Sequence, residues 1–190
     1  MGSEKNRLFH QSWRKDSYFI STDPALIPIK KLNEAFASEQ VYWTEALPED
    51  ILRETIENSL SFGLYRLDES KSEAARNISP GSPDLELVGF ARCITDYTTF
   101  IYLTDVYVDA SCQGKGLGAW MIGCVQEVID SMPYLRRSLL FTGDWKRSVP
   151  FYEKLMGMSV MECKRGEDGK SGVGVAIMQK KGPQFPSSLN

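Results

Sequence analysis

The residues of this chain best suited to chemistry gather in one turn. Val108-Asp109-Ala110-Ser111-Cys112-Gln113-Gly114-Lys115-Gly116-Leu117-Gly118-Ala119 lies between an alternating apolar run and a helical one. Three glycines at alternate positions permit positive φ angles and bring backbone N–H groups close to a ligand. At the start of a helix those N–H groups have no acceptor inside the helix, and the helix dipole adds positive potential. The chemistry on offer is anion binding, typically of phosphate. The alternative is a tight strand-to-helix turn whose glycines serve packing alone.

Other reactive side chains are few. The cysteines are Cys93, Cys112, Cys124 and Cys163, with no C-x-x-C pair, and His10 is the single histidine. That set cannot build a usual zinc site, so no metal is expected. A Ser-His or Cys-His triad would need His10, which lies in a polar leader. The cysteines read as small, partly buried apolar residues in a reducing compartment. Cys112 is the one thiol placed where a helix N-terminus could activate it.

The elements that must position the turn follow from periodicity. Residues 1–16 form a polar leader expected to be loosely held. SYFIST (17–22) reads as a short strand, and Asp23-Pro24 as a helix start. Leu26, Ile29, Leu32 and Phe36 continue at helical spacing, although Pro28 weakens the first turn. Tyr42-Trp43 falls in a connector before a second helix over 47–60. SFGLYRL (61–67) alternates as a strand. The polar segment 68–84, with Pro80, Gly81 and Pro83, reads as a solvated loop insertion. LELVGFARCIT (85–95) and TFIYLTDVYVD (99–109) read as a hairpin around Asp96-Tyr97-Thr98. A helix over about 115–131 carries Leu117, Met121, Val125 and Val128 on one face. A strand (137–144), a helix (148–156) and two closing strands (157–163 and 172–180) complete the domain, 17–181, before a tail at 182–190. The fold class is α/β of the α+β kind, with a central mixed, mostly antiparallel sheet, one parallel crossover and flanking helices.

Composition excludes several classes. Of 190 residues, 42% are hydrophobic, enough for a core, and 22 basic residues stand against 25 acidic for a net charge of −3. Nothing in that balance suits nucleic-acid binding, which needs a basic excess. No apolar run reaches the roughly 20 residues that span a bilayer, and the N-terminus has no signal-peptide h-region. A soluble, cytoplasmic protein is expected, without a membrane partner.

Two motifs compete for the glycine turn. Gly114-Lys115-Gly116-Leu117-Gly118-Ala119 fits the dinucleotide pattern G-x-G-x-x-G/A. Against it, the first glycine comes late after the strand, Asp144 is too distant for the ribose carboxylate, and too few residues follow for a doubly wound fold. A Walker loop is excluded because no Gly-Lys-Ser/Thr closes the turn. The other pattern is Q/R-x-x-G-x-G/A, filled by Gln113, Gly116 and Gly118. Downstream, Phe151-Tyr152-Glu153-Lys154-Leu155-Met156-Gly157-Met158 is similar to an F/L-Y-E-K-x-G-F signature. Together, and in this element order, they resemble the GCN5-related N-acetyltransferase (GNAT) superfamily over residues 17–180. The nearest likeness is to small single-domain bacterial and fungal members.

The resemblance implies the acyl-CoA N-acyltransferase fold, acetyl-CoA as co-substrate and direct transfer to a primary amine without an acyl-enzyme. It implies that backbone N–H groups of Gln113, Gly114, Lys115, Gly116, Leu117, Gly118 and Ala119 hold the pyrophosphate. Val106, Tyr107 and Val108 would pair with the pantetheine arm and polarise the thioester carbonyl. Tyr152 matches the tyrosine that protonates the leaving thiolate. A phenol of pKa about 10 suits that task, and the alternative is an aromatic packed in the core. Asp105 is the first candidate base and Asp96 the second, each alternatively a structural hydrogen-bond acceptor. Tyr42, Trp43 and Asp96 would face the acceptor, the two aromatics alternatively capping the helix pair. Trp145 stands where many relatives carry an asparagine, and Pro150 is unusual within the tyrosine segment. The near-neutral charge favours a small-molecule amine; a protein lysine or N-terminus, or a catalytically silent CoA-binding module, are the alternatives. The closing strands often form dimer contacts in relatives, which leaves a homodimer open.

Overall fold

Alternating apolar residues with β-branched and aromatic side chains build the central sheet of this protein. The computed structural model describes residues 4–71, 77–161, 164–165, 167 and 172–173. The chain divides into two units, Met1–Phe141 and Thr142–Asn190.

In the first unit, six strands lie in chain order: β1 (Ser12–Lys15), β2 (Tyr18–Ser21), β3 (Leu60–Leu67), β4 (Leu85–Thr95), β5 (Phe100–Val108) and β6 (Arg137–Leu140). Neighbours are antiparallel except β5 and β6, which are parallel. A parallel pair needs a crossover, and α4 (Leu117–Asp130) lies in it. The helices α1 (Glu4–Leu8), α2 (Ile29–Phe36) and α3 (Glu49–Glu57) precede β3 or open the chain.

The two sheet faces are covered differently. Ile29, Leu32 and Phe36 of α2, with Leu52 and Ile56 of α3, share one cluster with Tyr65, Leu67, Leu87, Phe90 and Tyr107. On the other face, Trp13 stacks on Phe62 and donates from its indole nitrogen to Glu127 of α4 at 3.0 Å. The buried stripe of α4 includes Leu117, Met121, Val125 and Val128, as its 3.6-residue period requires.

Residues 4–15 differ from the expected loose leader. Leu8 is fully buried, and β1 pairs with β2 in register from Ser12↔Ser21 to Lys15↔Tyr18. β1 is an edge strand, and exposed edges carry charge to block further pairing. Its composition, Ser-Trp-Arg-Lys, is therefore polar enough to hide it from a periodicity reading. The loop after β3 is also better anchored than its composition suggests. Asp84 is 2% exposed and accepts from Lys71 at 2.6 Å and from the Asn77 N–H at 2.8 Å; residues 72–76 lie outside the described set.

The β4–β5 ladder contains one irregularity. Phe90 pairs with Tyr107 and Arg92 with Thr104, so Asp105 and Val106 together oppose Ala91. This is a β-bulge, which re-aims a strand and interrupts its ladder. Asp105 takes the positive φ that it needs, 53°. Asp tolerates the left-handed region at about 1 kcal/mol. Arg92 holds it there: its Nε donates to Asp105 Oδ2 at 2.6 Å and its NH1 to Ser59 Oγ at 3.3 Å. The side chains of Arg92 and Asp105 are 17% and 8% exposed.

The second unit contains α5 (Ser148–Met156) and a two-stranded antiparallel pair, β7 (Lys164–Arg165) and β8 (Gly172–Val173). The entry to α5 is set by Asp144, whose Oδ1 accepts from the Arg147 N–H at 2.9 Å. Pro150 falls in the first turn of α5, where its missing N–H costs nothing. The first closing strand, expected at 157–163, is absent from residues 157–161. Lys164 and Arg165, between the two expected strands, are themselves strand. Gly157 ends α5 in the left-handed conformation, and exposed Val160 pairs with no strand among the described residues. Residues 162, 163 and 174–180 lie outside the described set.

The buried Arg92–Asp105 pair yields a stability prediction. Arg92→Met leaves Asp105 as an uncompensated charge and lowers unfolding free energy by about 3 kcal/mol. Urea unfolding checks it; a loss below 1 kcal/mol would mean that the pair does not hold the bulge.

Candidate functional site

The glycine turn is organised from both ends. Asp109 ends β5 and caps the single 3-10 turn Ala110–Cys112, accepting from the Ser111 N–H at 2.9 Å and the Ser111 hydroxyl at 2.6 Å. Those bonds, led by the hydroxyl, hold its carboxyl below the usual range, with a smaller contribution from Lys31. Gly114 and Gly116 then take φ values of +77° and +75°. A Cβ would meet nothing within 4 Å at either, so the glycines answer the backbone conformation rather than crowding. Gly116 caps α4 without any side-chain cap, and no acidic residue lies in the first turn.

The consequence is a set of unspent donors. The first hydrogen bond of α4 runs from the Trp120 N–H to the Gly116 carbonyl at 3.0 Å. Among the described residues, no N–H of residues 114–119 has an acceptor in the protein. Gln113, Gly114, Lys115 and Gly116 are exposed, while Gly118 and Ala119 are half-buried. Six consecutive donors stand at the positive end of a 14-residue helix, an arrangement that favours an anion.

Gln113 differs from the expectation. Its own N–H already donates to the Ala110 carbonyl at 3.3 Å. Its side chain works instead, donating to the Val108 carbonyl at 2.9 Å. Gln40, from the 3-10 turn Glu39–Val41, donates to the same carbonyl at 2.7 Å. Two amides therefore fix the end of β5, and Val108 has no free carbonyl to offer a ligand. The Gln40 bond spans 68 residues of sequence, and nothing in the local pattern announces it.

β5 presents a second feature. β6 pairs with Phe100–Leu103 only. From Thr104 to Val108 the edge of β5 away from β4 has no partner strand among the described residues. Val106 and Val108 are half-buried, whereas Tyr107 is 8% exposed with its phenol in the α2–α3 core. That burial pushes the Tyr107 hydroxyl well above its ordinary titration range. The Tyr107 backbone is paired with Phe90, its carbonyl turned toward Gly89 of β4.

The expected acid–base residues sort themselves by partner. Asp96 Oδ1 accepts from the N–H groups of Thr98, Thr99 and Phe100, and Oδ2 from the Thr99 hydroxyl. These bonds, the Thr99 hydroxyl first, hold its carboxyl far below the usual range. Asp96 builds the hairpin turn and is unsuited to taking a proton. Asp105 is committed to Arg92. Tyr152 lies in the second turn of α5, half-buried, its ring edge-on to Phe151 at 5.1 Å. Burial pushes its phenol up to about 12, so it is protonated throughout the physiological range. Trp43 packs against the α2–α3 core and meets Tyr42 edge-on at 5.1 Å; Tyr42 is 49% exposed. Their connector is pinned by Asn33, which exchanges two hydrogen bonds with the Leu47 backbone at 2.6 and 2.9 Å.

Cys112 is fully buried and cannot attack a substrate from that position. Cys93 and Cys124 are buried too, and burial pushes both thiols up to about 12. Cys163 lies outside the described residues. Among the described residues no group of His, Cys, Asp and Glu side chains could hold a metal, and no helix is long and apolar enough to cross a membrane.

The described residues thus combine a six-stranded sheet with a bulge, an open strand edge and a turn of unbonded donors at its end. Residues 33–158 match the Acetyltransferase (GNAT) family. A protein of Gibberella zeae, named as a candidate acetyltransferase, is 37% identical over 175 residues, which are 92% of this chain and 96% of its own. The chain belongs to the GNAT acetyltransferase family. Two solved structures share the fold. A candidate GNAT acetyltransferase of Xanthomonas campestris pv. campestris has a TM-score of 0.60 at 24% identity, over 90% of this chain and 96% of that one. The GNAT family protein of Streptococcus pneumoniae has 0.53 at 17%, over 86% and 99%.

The turn supplies its own test. Gly116→Ala forces a Cβ into the left-handed region at a cost of about 1 kcal/mol and tilts the donors of residues 114–119. Coenzyme A affinity by calorimetry is expected to fall about tenfold with the fold retained by circular dichroism. Unchanged affinity would remove the turn from the binding site.

Proposed function

We propose that this acetyltransferase moves an acetyl group from acetyl-CoA directly to a primary amine of a small molecule. The observation that carries the donor reading is the run of six unspent N–H groups at residues 114–119. A diphosphate supplies the acceptors they lack, and no acidic side chain in the first turn of α4 opposes it. The unpaired edge of β5 from Thr104 to Val108 suits the amide-bearing pantetheine arm, taken up as an added strand.

When bound, acetyl-CoA supplies an acyl group activated as a thioester. The chain's own residues supply the rest. The N–H groups of Gly114, Lys115, Gly116, Leu117, Gly118 and Ala119 hold the diphosphate. A backbone N–H from Val106 to Val108 polarises the thioester carbonyl. Tyr152 hands its phenolic proton to the departing sulfur and regains one through solvent from the amine nitrogen as the amide forms; its raised pKa keeps that proton in place for delivery. Asp105 holds the bulge beside this edge through Arg92 and is a positioning residue. The buried state of Cys112 fits transfer without an acyl-enzyme. The balanced charge of the chain supports a small amine over a basic protein tail.

Tyr152→Phe tests the acid. Turnover, followed as thiol release, is expected to fall at least tenfold while the KM for acetyl-CoA changes less than twofold. In the unchanged enzyme, ionisation of this phenol reduces kcat only as pH approaches about 12, since the acid must be protonated to act. Undiminished turnover in the variant removes Tyr152 from the mechanism. Tight acetyl-CoA binding without thiol release on any amine would identify a silent binding module.

A further inference from the structure

One end of the sheet leaves an apolar face open. Ile94 of β4, Tyr102 of β5 and Leu139 of β6 stand in one cross-strand row. The neighbouring residues that point the other way, Cys93, Ile101 and Leu103, are 0%, 0% and 2% exposed. On the open side Ile94 is 44% exposed, Phe100 37% and Phe141 64%, and the rings of Tyr102 and Phe141 meet at 5.3 Å. The α2–α3 pair covers this same face only at its other end, over Phe90 and Tyr107. Contiguous exposed apolar side chains of this kind mark binding surfaces.

The position says what binds. Phe141 follows β6 where its pairing with β5 ends, and the free edge of β5 starts at Thr104, two residues on from Tyr102. If that edge takes the acyl carrier, the open face borders the transferred group. The charges near it are of both signs: Arg92 is paired with Asp105, and Phe100 has Arg137 opposite it in register and the Asp96 carboxylate accepting from its N–H. A polycation finds no acidic excess here, and a phosphorylated sugar finds no basic one.

Resting on the donor reading above, we infer that this face is the acceptor site, and that its substrate is a primary amine with an aromatic or bulky apolar group and no other charge. Tyr102 and Phe141 offer ring faces and edges to the aromatic group. Phe141 is a specificity-determining residue.

The experiment measures thiol release at saturating acetyl-CoA with 2-phenylethylamine, tryptamine, spermidine, glucosamine and a lysine-rich peptide. The aromatic amines are expected to show at least tenfold higher kcat/KM than the other three. Phe141→Ala and Ile94→Ser should each raise the KM for 2-phenylethylamine about tenfold without changing the KM for acetyl-CoA. Ile51→Ala, exposed on α3, should change neither. A preference for spermidine, glucosamine or the peptide overturns the inference, as does equal loss on every acceptor. Loss of a dimer in Phe141→Ala with unaltered selectivity also overturns it, and assigns the face to a second copy. A separate arm records saturation-transfer NMR of 2-phenylethylamine on the unliganded protein. Binding abolished by Phe141→Ala supports the site even where turnover fails, and no binding refutes it. Failure of acetyl-CoA to bind in calorimetry sinks the donor reading by itself.

Discussion

The Arg92–Asp105 ion pair governs the geometry of β5, and through β5 the geometry of the site. A regular antiparallel strand would keep its alternation and present a uniform edge. The bulge opposite Ala91 adds a residue and raises the local twist. Asp105 bears the left-handed backbone of that extra residue, and the strain persists only because the side chain is held. The carboxylate is 8% exposed, so it must be paired or pay a heavy desolvation cost. The pairing and the strain therefore stabilise each other. β6 has already stopped pairing at Leu103 and Leu140; just beyond, the chain offers backbone groups rather than another ladder.

The turn at the end of β5 obeys the opposite economy. Its donors find no acceptor among the described residues. Asp109 is the carboxylate closest in sequence, and it is occupied by Ser111. Gln113 places its amide on Val108 rather than across the turn. Gln40 reinforces that carbonyl from the far side of the sequence. Fixing the strand end while leaving residues 114–119 unbonded is preorganisation. An anion arriving there meets oriented donors and need not order them.

Much of this was legible in the residues. The hairpin over 85–95 and 100–108, the helix after the glycines and the last helix at 148–156 all follow from period, glycine and turn chemistry. Three features were not, each for a physical reason. β1 is an edge strand and so wears a polar sequence. The bulge hides because buried Ile101, Leu103, Asp105 and Tyr107 keep an unbroken alternation through it; the backbone absorbs the extra residue without disturbing the pattern. The two carboxylates flanking the hairpin, Asp96 and Asp105, read as candidate bases because a carboxylate's type says nothing of its partners. Arg92 and Asp105 were recoverable in principle: hairpin register sets Arg92 opposite Thr104, next to Asp105.

The open face beyond Tyr102 follows from the same arrangement. Apolar area left in water forfeits about 25 cal/mol per Å², and a helix like α2 laid over Ile94, Phe100 and Phe141 would recover it. The fold covers Phe90 and Tyr107 on that face and stops. A cover over the remainder would also seal the point where β5 and β6 part, beside the edge that starts at Thr104. Stability and access compete there. The side chains that remain exposed are aromatic or branched, and the charges beside them are of both signs. Solubility alone would favour lysine or glutamate at those positions, so their apolar character points to a requirement of binding rather than of folding.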